Sequence, residues 1–229
     1  MKEFADFQAA IGLENLEMPH LAEAFTHRSY AVENHLTFDN QRLEFLGDAV
    51  LEIILTEYLF ELYPAMNEGD MTKIRSALVR EQTLAELAAK LNLGKSLRIG
   101  HGERECGGDK RQSTLADLFE AMLGAVYLDA GMDFARNFIL ALFAAHTPEP
   151  ATLLHAINPK GALQEYAQKL HLPPPVYKIL NVSGPEHDPL YVVEVQLNHY
   201  VATGEAPSRK QAESTAAKRL YEALAVPAQ

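Results

Sequence analysis

The sequence is poor in cysteine: Cys106 stands alone, so an internal disulfide is excluded, and with it the cross-linked framework on which small secreted domains depend. Long apolar runs are missing too. No stretch approaches the ~20 residues that a membrane-spanning helix requires, and positions 1–17 carry acids where a secretory signal needs an apolar segment. These absences lead us to expect a cytoplasmic protein with no membrane partner. Basic charge is scarce as well: 20 Lys and Arg stand against 31 Asp and Glu, for a net charge of -11. On that sum alone nucleic-acid binding is disfavoured, because binders usually carry a basic footprint. There is no internal repeat and no low-complexity tract.

What is present is unevenly spread. Residues 1–150 hold 13 Lys and Arg against 24 Asp and Glu, whereas residues 151–229 hold 7 of each. At 229 residues the chain is longer than a typical single domain, and the charge split marks two domains. An acidic body can approach a polyanion only through local basic patches or through metal ions that offset clustered carboxylates. Apolar residues recur three and four apart up to about Phe143, which predicts helices near 4–12, 18–31, 40–63, 70–91, 114–130 and 132–145. Breaks fall at Pro64, at 68–70 and in a glycine-rich loop at 100–111. We expect an all-α domain over 1–145 and a linker over 146–157, marked by Pro148 and Pro150. A domain of α-β-β-β-α order should follow over 158–226, with helices near 159–170 and 209–225 and strands near 175–182, 189–197 and 199–203. In the middle strand Tyr191, Val193, Val195 and Leu197 alternate with Val192, Glu194 and Gln196, the period of a half-buried strand. Asn198-His199 reads as a hairpin turn.

Two apolar helical segments carry acids in pairs. In Asn40-Gln-Arg-Leu-Glu-Phe-Leu-Gly-Asp-Ala-Val-Leu, Glu44 and Asp48 are four apart and share one side of a helix. In Leu115-Ala-Asp-Leu-Phe-Glu-Ala-Met-Leu-Gly-Ala-Val, Asp117 and Glu120 are three apart and are the only charges. One such acid alone is usually a solvated surface residue. Two pairs without a broad polar face are not explained that way, because an ionised carboxylate among apolar neighbours is costly unless paired or metal-bound. No Lys or Arg lies one turn away, and Gly47 and Gly124 permit close helix approach. All-oxygen ligands favour magnesium or manganese, and two such ions could serve phosphodiester hydrolysis. A di-iron carboxylate bundle also gathers acids from facing helices, but it wants Glu-x-x-His. Here Gly47 follows Glu44 at plus three, and Glu120 follows Asp117.

In the C-terminal part, Ser208 and Gln211 form a capping-box start, which puts Arg209 and Lys210 in the first helical turn. Cations there oppose the helix dipole, and a phosphate bound at that turn would remove the conflict. Lys218 and Arg219, near the other end, are explained by the dipole alone. Gln164 and Gln168 share one face of the short first helix and suit 2′-hydroxyls and base edges, although two solvent-facing glutamines would look the same. His187 lies near the tip of the proline-stiffened loop at 184–189. Together with the α-β-β-β-α order these residues fit a module that grips two minor grooves of an RNA duplex and the phosphates between them.

With those residues in view, the chain resembles ribonuclease III over almost its whole length. The segment from Asn40 is very similar to that family's signature, and the one from Leu115 to its second acidic helix. Thr26-His-Arg-Ser-Tyr and Glu68-Gly-Asp-Met-Thr resemble further landmarks. The tail, with Leu163-Gln-Glu, Gly184-Pro-Glu-His and Ser208-Arg-Lys-Gln-Ala-Glu-Ser-Thr-Ala-Ala, resembles a double-stranded RNA-binding domain, a motif shared by many RNA-binding proteins. The resemblance implies an endonuclease that cuts both strands of double-stranded RNA and processes rRNA and other precursors. It implies that Glu44, Asp48, Asp117 and Glu120 hold Mg2+, with Mn2+ as substitute, and that Asp48 and Glu120 act in catalysis. It further implies a homodimer with one site per subunit and Phe45 packed into the partner. RNA contacts would come from Gln164, Gln168, His187, Ser208, Arg209 and Lys210. Two departures stand out: Gln41 replaces a glutamate of many relatives, and Glu205-Ala-Pro stands where a second glycine is common. The competing implication is a protein of the same fold that binds RNA without cutting it.

Overall fold

The computed structural model describes residues 4–185 and 188–225. It divides into two compact units, Met1–Pro148 and Glu149–Gln229. The first unit is built from α1 (Ala5–Ala10), α2 (Leu21–Ala24), α3 (Arg28–Glu33), α4 (Gln41–Leu62), α5 (Glu68–Leu78), α6 (Glu81–Lys90), α7 (His101–Glu105), α8 (Gln112–Ala130) and α9 (Met132–His146). Helices α4 and α8 pack along each other at its centre, and α6 lies against α8. The apolar character of α8 on nearly every side is explained by burial of Leu118, Phe119, Met122, Leu123 and Val126 together. From α4 come Leu43, Val50, Leu51, Ile54, Leu55 and Leu59. Each fully buried Leu or Phe contributes roughly 1.5–3 kcal/mol, so this pairing is the main stabilising contact of the unit.

Its closeness is set by two glycines. A Cβ on Gly47 would lie 1.8 Å from the Glu120 carbonyl oxygen, and one on Gly124 would lie 2.4 Å from that of Leu43. Backbone therefore meets backbone at this level.

Two of the expected helices are each divided. The segment expected over 18–31 becomes α2 and α3, because Thr26 bridges to Arg98. The Arg98 N–H donates to the Phe25 carbonyl at 2.8 Å, and the His27 N–H to the Arg98 carbonyl at 2.9 Å. His27 then caps α3, its ring accepting from the Ser29 N–H. The segment expected over 70–91 breaks at Val79 and Arg80, and Asn67 caps α5 by accepting from the Asp70 N–H at 3.0 Å. The loop at 100–111 holds α7 and a short 3-10 turn over Gly108–Lys110.

The second unit consists of α10 (Pro150–Ile157), α11 (Pro159–Lys169), β1 (Val176–Ser183), β2 (Leu190–Leu197), β3 (Tyr200–Ala206) and α12 (Arg209–Ala225). The strands form one antiparallel sheet of order β1-β2-β3. Val193, Val195 and Leu197 are buried, and Val195 and Leu197 share a core cluster with Leu163, Ala216, Ala217 and Leu220. Asn198, with φ 55°, takes the left-handed conformation that closes the β2–β3 hairpin. Much of the stretch read as a linker over 146–157 is instead helix α10. Pro150 opens it, at a position where a missing N–H costs no hydrogen bond. Leu154 is buried, and the His155 ring lies 4.9 Å from that of Tyr221, whose hydroxyl is 3.1 Å from His155 Nδ1. Among the described residues no helix is long and apolar enough to cross a membrane.

Candidate functional site

The contact at Gly47 and Gly124 decides where the acids go. Glu44 lies one turn before Gly47 on α4, and Glu120 one turn before Gly124 on α8, so the close crossing brings their side chains to the same rim. Glu44, Asp117 and Glu120 each offer an oxygen within 4.8 Å of the others, and all three are half-buried. Asp48 lies one turn further along α4, exposed and outside this trio. Among the described residues no Lys or Arg forms an ion pair with the three.

The electrostatics record that crowding. Burial pushes the Glu120 carboxyl up to about 8, helped by the charges of Asp48, then Glu44 and Asp117. Glu44 is raised by burial and then by Asp117, Asp39 and Asp48. Asp117 is raised by burial and then by Glu81, with His27 opposing. Like charges packed at half-buried positions resist ionisation together. A divalent cation among them would reverse that preference, and the donor set, all carboxylate oxygen with no histidine, fits a hard ion such as magnesium or manganese. Among the described residues no histidine joins the trio, so the di-iron alternative lacks its Glu-x-x-His ligands. Neither Glu81 nor Asp39 stood out in the sequence. Asp39 stands just before the first acidic stretch, five residues from Glu44, whereas Glu81 is distant in sequence and only tertiary packing brings its charge to bear on Asp117. Gln41 accepts from Arg28 Nη1 at 3.0 Å, so the amide that replaces an acid is engaged.

Phe45, one residue beyond Glu44, is 81% exposed, which excludes burial within its own core. Ile53 at 51% and Phe60 at 69% continue an exposed apolar stripe along α4.

In the second unit Gln164 and Gln168 are exposed on α11, and Lys210 is exposed on α12. Ser208 caps α12: its Oγ accepts from the Gln211 N–H at 3.3 Å and donates to Gln211 Oε1 at 3.0 Å. For Arg209 the structure resolves the dipole conflict in a way the sequence reading missed. Its Nε donates to Glu213 Oε1 at 2.8 Å, and Lys160 Nζ from α11 reaches Glu213 Oε2 at 2.5 Å. A protein carboxylate, not only a bound phosphate, can thus balance this turn. Nothing in the sequence marks Lys160, but Arg209 and Glu213 stand at i and i+4, a legible ion-pair spacing. Arg219 donates to the Thr203 carbonyl at 2.8 Å, a tie to β3. His187 lies outside the described residues.

Comparison with known proteins adds a family. A model described as Ribonuclease-III-like matches residues 19–146, and one described as Double-stranded RNA binding motif matches residues 159–224. Ribonuclease 3 of Moorella thermoacetica is 44% identical over 220 residues, covering 95% of this chain and 91% of the relative. Ribonuclease 3 of Nitratidesulfovibrio vulgaris is 43% identical over 228 residues, covering 98% and 89%. Among solved structures, the nuclease domain of ribonuclease III from Campylobacter jejuni aligns with a TM-score of 0.60 at 37% identity, covering 64% of this chain and 99% of that one.

Proposed function

The chain belongs to the ribonuclease III family, and on that footing we propose an endoribonuclease that hydrolyses both strands of double-stranded RNA as a homodimer. The observation that carries the chemistry is the trio Glu44, Asp117 and Glu120, half-buried, mutually close and, among the described residues, without a Lys or Arg ion-paired to it. The family depends on divalent metal, and we assign magnesium here, with manganese as substitute. Glu44, Asp117 and Glu120 hold the ion, and Asp48 stands at the rim as the fourth acid. When bound, such an ion supplies Lewis acidity to the phosphodiester and makes water more acidic. The chain's own part is to orient and to manage protons. Glu120, with its carboxyl pushed up to about 8, keeps a proton at neutral pH while the cluster is empty of cations and gives it up when positive charge arrives. Glu120 and Asp48 then orient the attacking water beside the scissile phosphate.

The remaining assignments follow from the same reading. The exposed stripe headed by Phe45 pairs two subunits, in keeping with the Campylobacter relative, described as having a region involved in dimer formation. Gln164, Gln168, His187, Ser208, Arg209 and Lys210 contact the duplex from the second unit. The cellular role is cytoplasmic processing of rRNA and other RNA precursors. A relative that binds RNA without cutting it would have no reason to keep acids at all four positions. The test is direct: purified protein is incubated with a long duplex RNA, with and without magnesium. Metal-dependent scission of both strands is expected, and intact duplex at every magnesium concentration would overturn the reading.

A further inference from the structure

Arg209 and Lys160 come from different helices and meet on one carboxylate, that of Glu213, which is only 8% exposed. Burial alone would raise this carboxyl, but the hydrogen bonds and charges of Lys160 and Arg209 outweigh it and hold it below the usual range. Glu213 therefore stays ionised beside a surface that is to receive a polyanion. By charge counting this is a defect, since a fixed negative charge next to a phosphate costs affinity. The geometry explains it otherwise. Arg209 is bound through Nε, at one corner of its planar fork, which leaves the Nη edge for a second partner. Lys160 is itself fixed, with Nζ 4.5 Å from the centre of the Tyr177 ring on β1. Two cations on one anion leave a surplus of positive charge, and Lys210 adds to it at the next position. The second unit has no excess of basic residues to spend on loose contacts, so orientation of the few it has decides how well they serve.

We propose that Glu213 is a positioning residue for duplex RNA: it holds the Arg209 guanidinium by Nε so that the opposite edge is presented to a phosphate, with Lys160 as the second cation that fixes the carboxylate. This rests on the reading of the second unit as the duplex-gripping part. A guanidinium held in advance loses less side-chain freedom on binding than a free one. The ligand recognised is the phosphodiester of an RNA duplex, in the bidentate manner that suits a guanidinium fork.

The sign of one effect separates this from simple neutralisation. Affinity of the full chain for a duplex of about 30 base pairs is measured against salt in metal-free buffer, so that binding proceeds without cleavage. Glu213→Gln removes a negative charge. Positioning predicts binding weaker by about 3- to 10-fold and a salt slope smaller by up to about 1, with no further loss when Arg209→Ala is added. Neutralisation predicts binding at least as tight as the parent's, and that result overturns the proposal. Because Glu213 also ties α11 to α12, Arg209→Lys provides a second arm that leaves the buried acid in place. It keeps the charge and loses the fork, and should bind about 3-fold or more weakly; parental affinity for Arg209→Lys overturns the proposal too. A parent chain with no salt-dependent affinity for duplex RNA would overturn the reading of the second unit, and this proposal with it.

Discussion

At the scale of single residues, Glu120 couples chemistry to stability. Its carboxyl sits near 8 in the fold against 4.5 when unconstrained. A carboxyl raised by folding costs stability where it must ionise, so the cost is full above about pH 8 and fades as pH falls toward 4.5. Solvent screening reduces it to something on the order of 2 kcal/mol. Glu120→Gln removes the charge and should raise the melting temperature of the metal-free protein by about 5 °C at pH 8.5, with the gain gone near pH 5. Magnesium should stabilise the parent chain and leave the variant nearly unmoved, which thermal melts with and without the ion will read. The same substitution should lower single-turnover cleavage at limiting magnesium by about 100-fold or more while duplex affinity stays nearly normal. Cleavage at the parental rate would remove Glu120 from the mechanism. The pairing of acids on two apolar segments was visible in the sequence because it is local. That Asp48 stands outside the trio was not, since spacing four apart fixes the face of a helix but not which of its two turns meets the neighbour.

At the scale of elements, the α4–α8 crossing joins fold to site. The glycines at 47 and 124 were legible as a licence for close approach, but only the structure shows that Gly47 faces the backbone of Glu120 itself. Gly47→Ala forces a methyl to within 1.8 Å of a carbonyl oxygen. The helices must part, at a cost of about 3 kcal/mol or more, and the acids part with them. Urea unfolding should show the loss of stability, and cleavage should fall even though no ligand has been altered. A Gly47→Ala protein with parental stability would mean that the helices do not touch at this level in solution. Helix periodicity and strand alternation supplied the other elements within a few residues, with informative exceptions. The break at Phe25 to His27 depends on hydrogen bonds to Arg98, a partner distant in sequence that no local pattern announces. Conversely, α10 was hidden because Pro148 and Pro150 read as punctuation, whereas Pro150 begins a helix that Tyr221 then holds in place.

At the scale of the whole molecule, charge and apolar surface are divided between tasks. Residues 1–150 carry the entire net charge of -11 and the carboxylate trio, while residues 151–229 are neutral. The acidic part also exposes Phe45, Ile53 and Phe60 in one stripe, and Phe45→Asp should shift the sedimentation equilibrium from dimer toward monomer by at least about tenfold in Kd, since a buried aromatic anchor is worth 2 kcal/mol or more. An unchanged dimer would put the interface elsewhere. The division of labour leads to a separable outcome when the chain ends at Pro148, where the first compact unit ends. That unit keeps the α4–α8 crossing, all four acids and the apolar stripe, so the rate at saturating RNA should hold within a few fold. What it loses is the set of cations and glutamines assigned to the duplex, so capture of RNA should suffer. The rate at dilute RNA should drop by about 100-fold at ~0.1 M salt and recover as salt is lowered, because counterion release strengthens the phosphate contacts that local cations of the first unit still make. Single-turnover rates across a range of RNA and salt concentrations measure both limits. If the shortened chain lost its saturating rate while remaining folded and dimeric, the first unit would not be a self-sufficient catalyst, and the second would have to contribute to the chemical step as well as to capture.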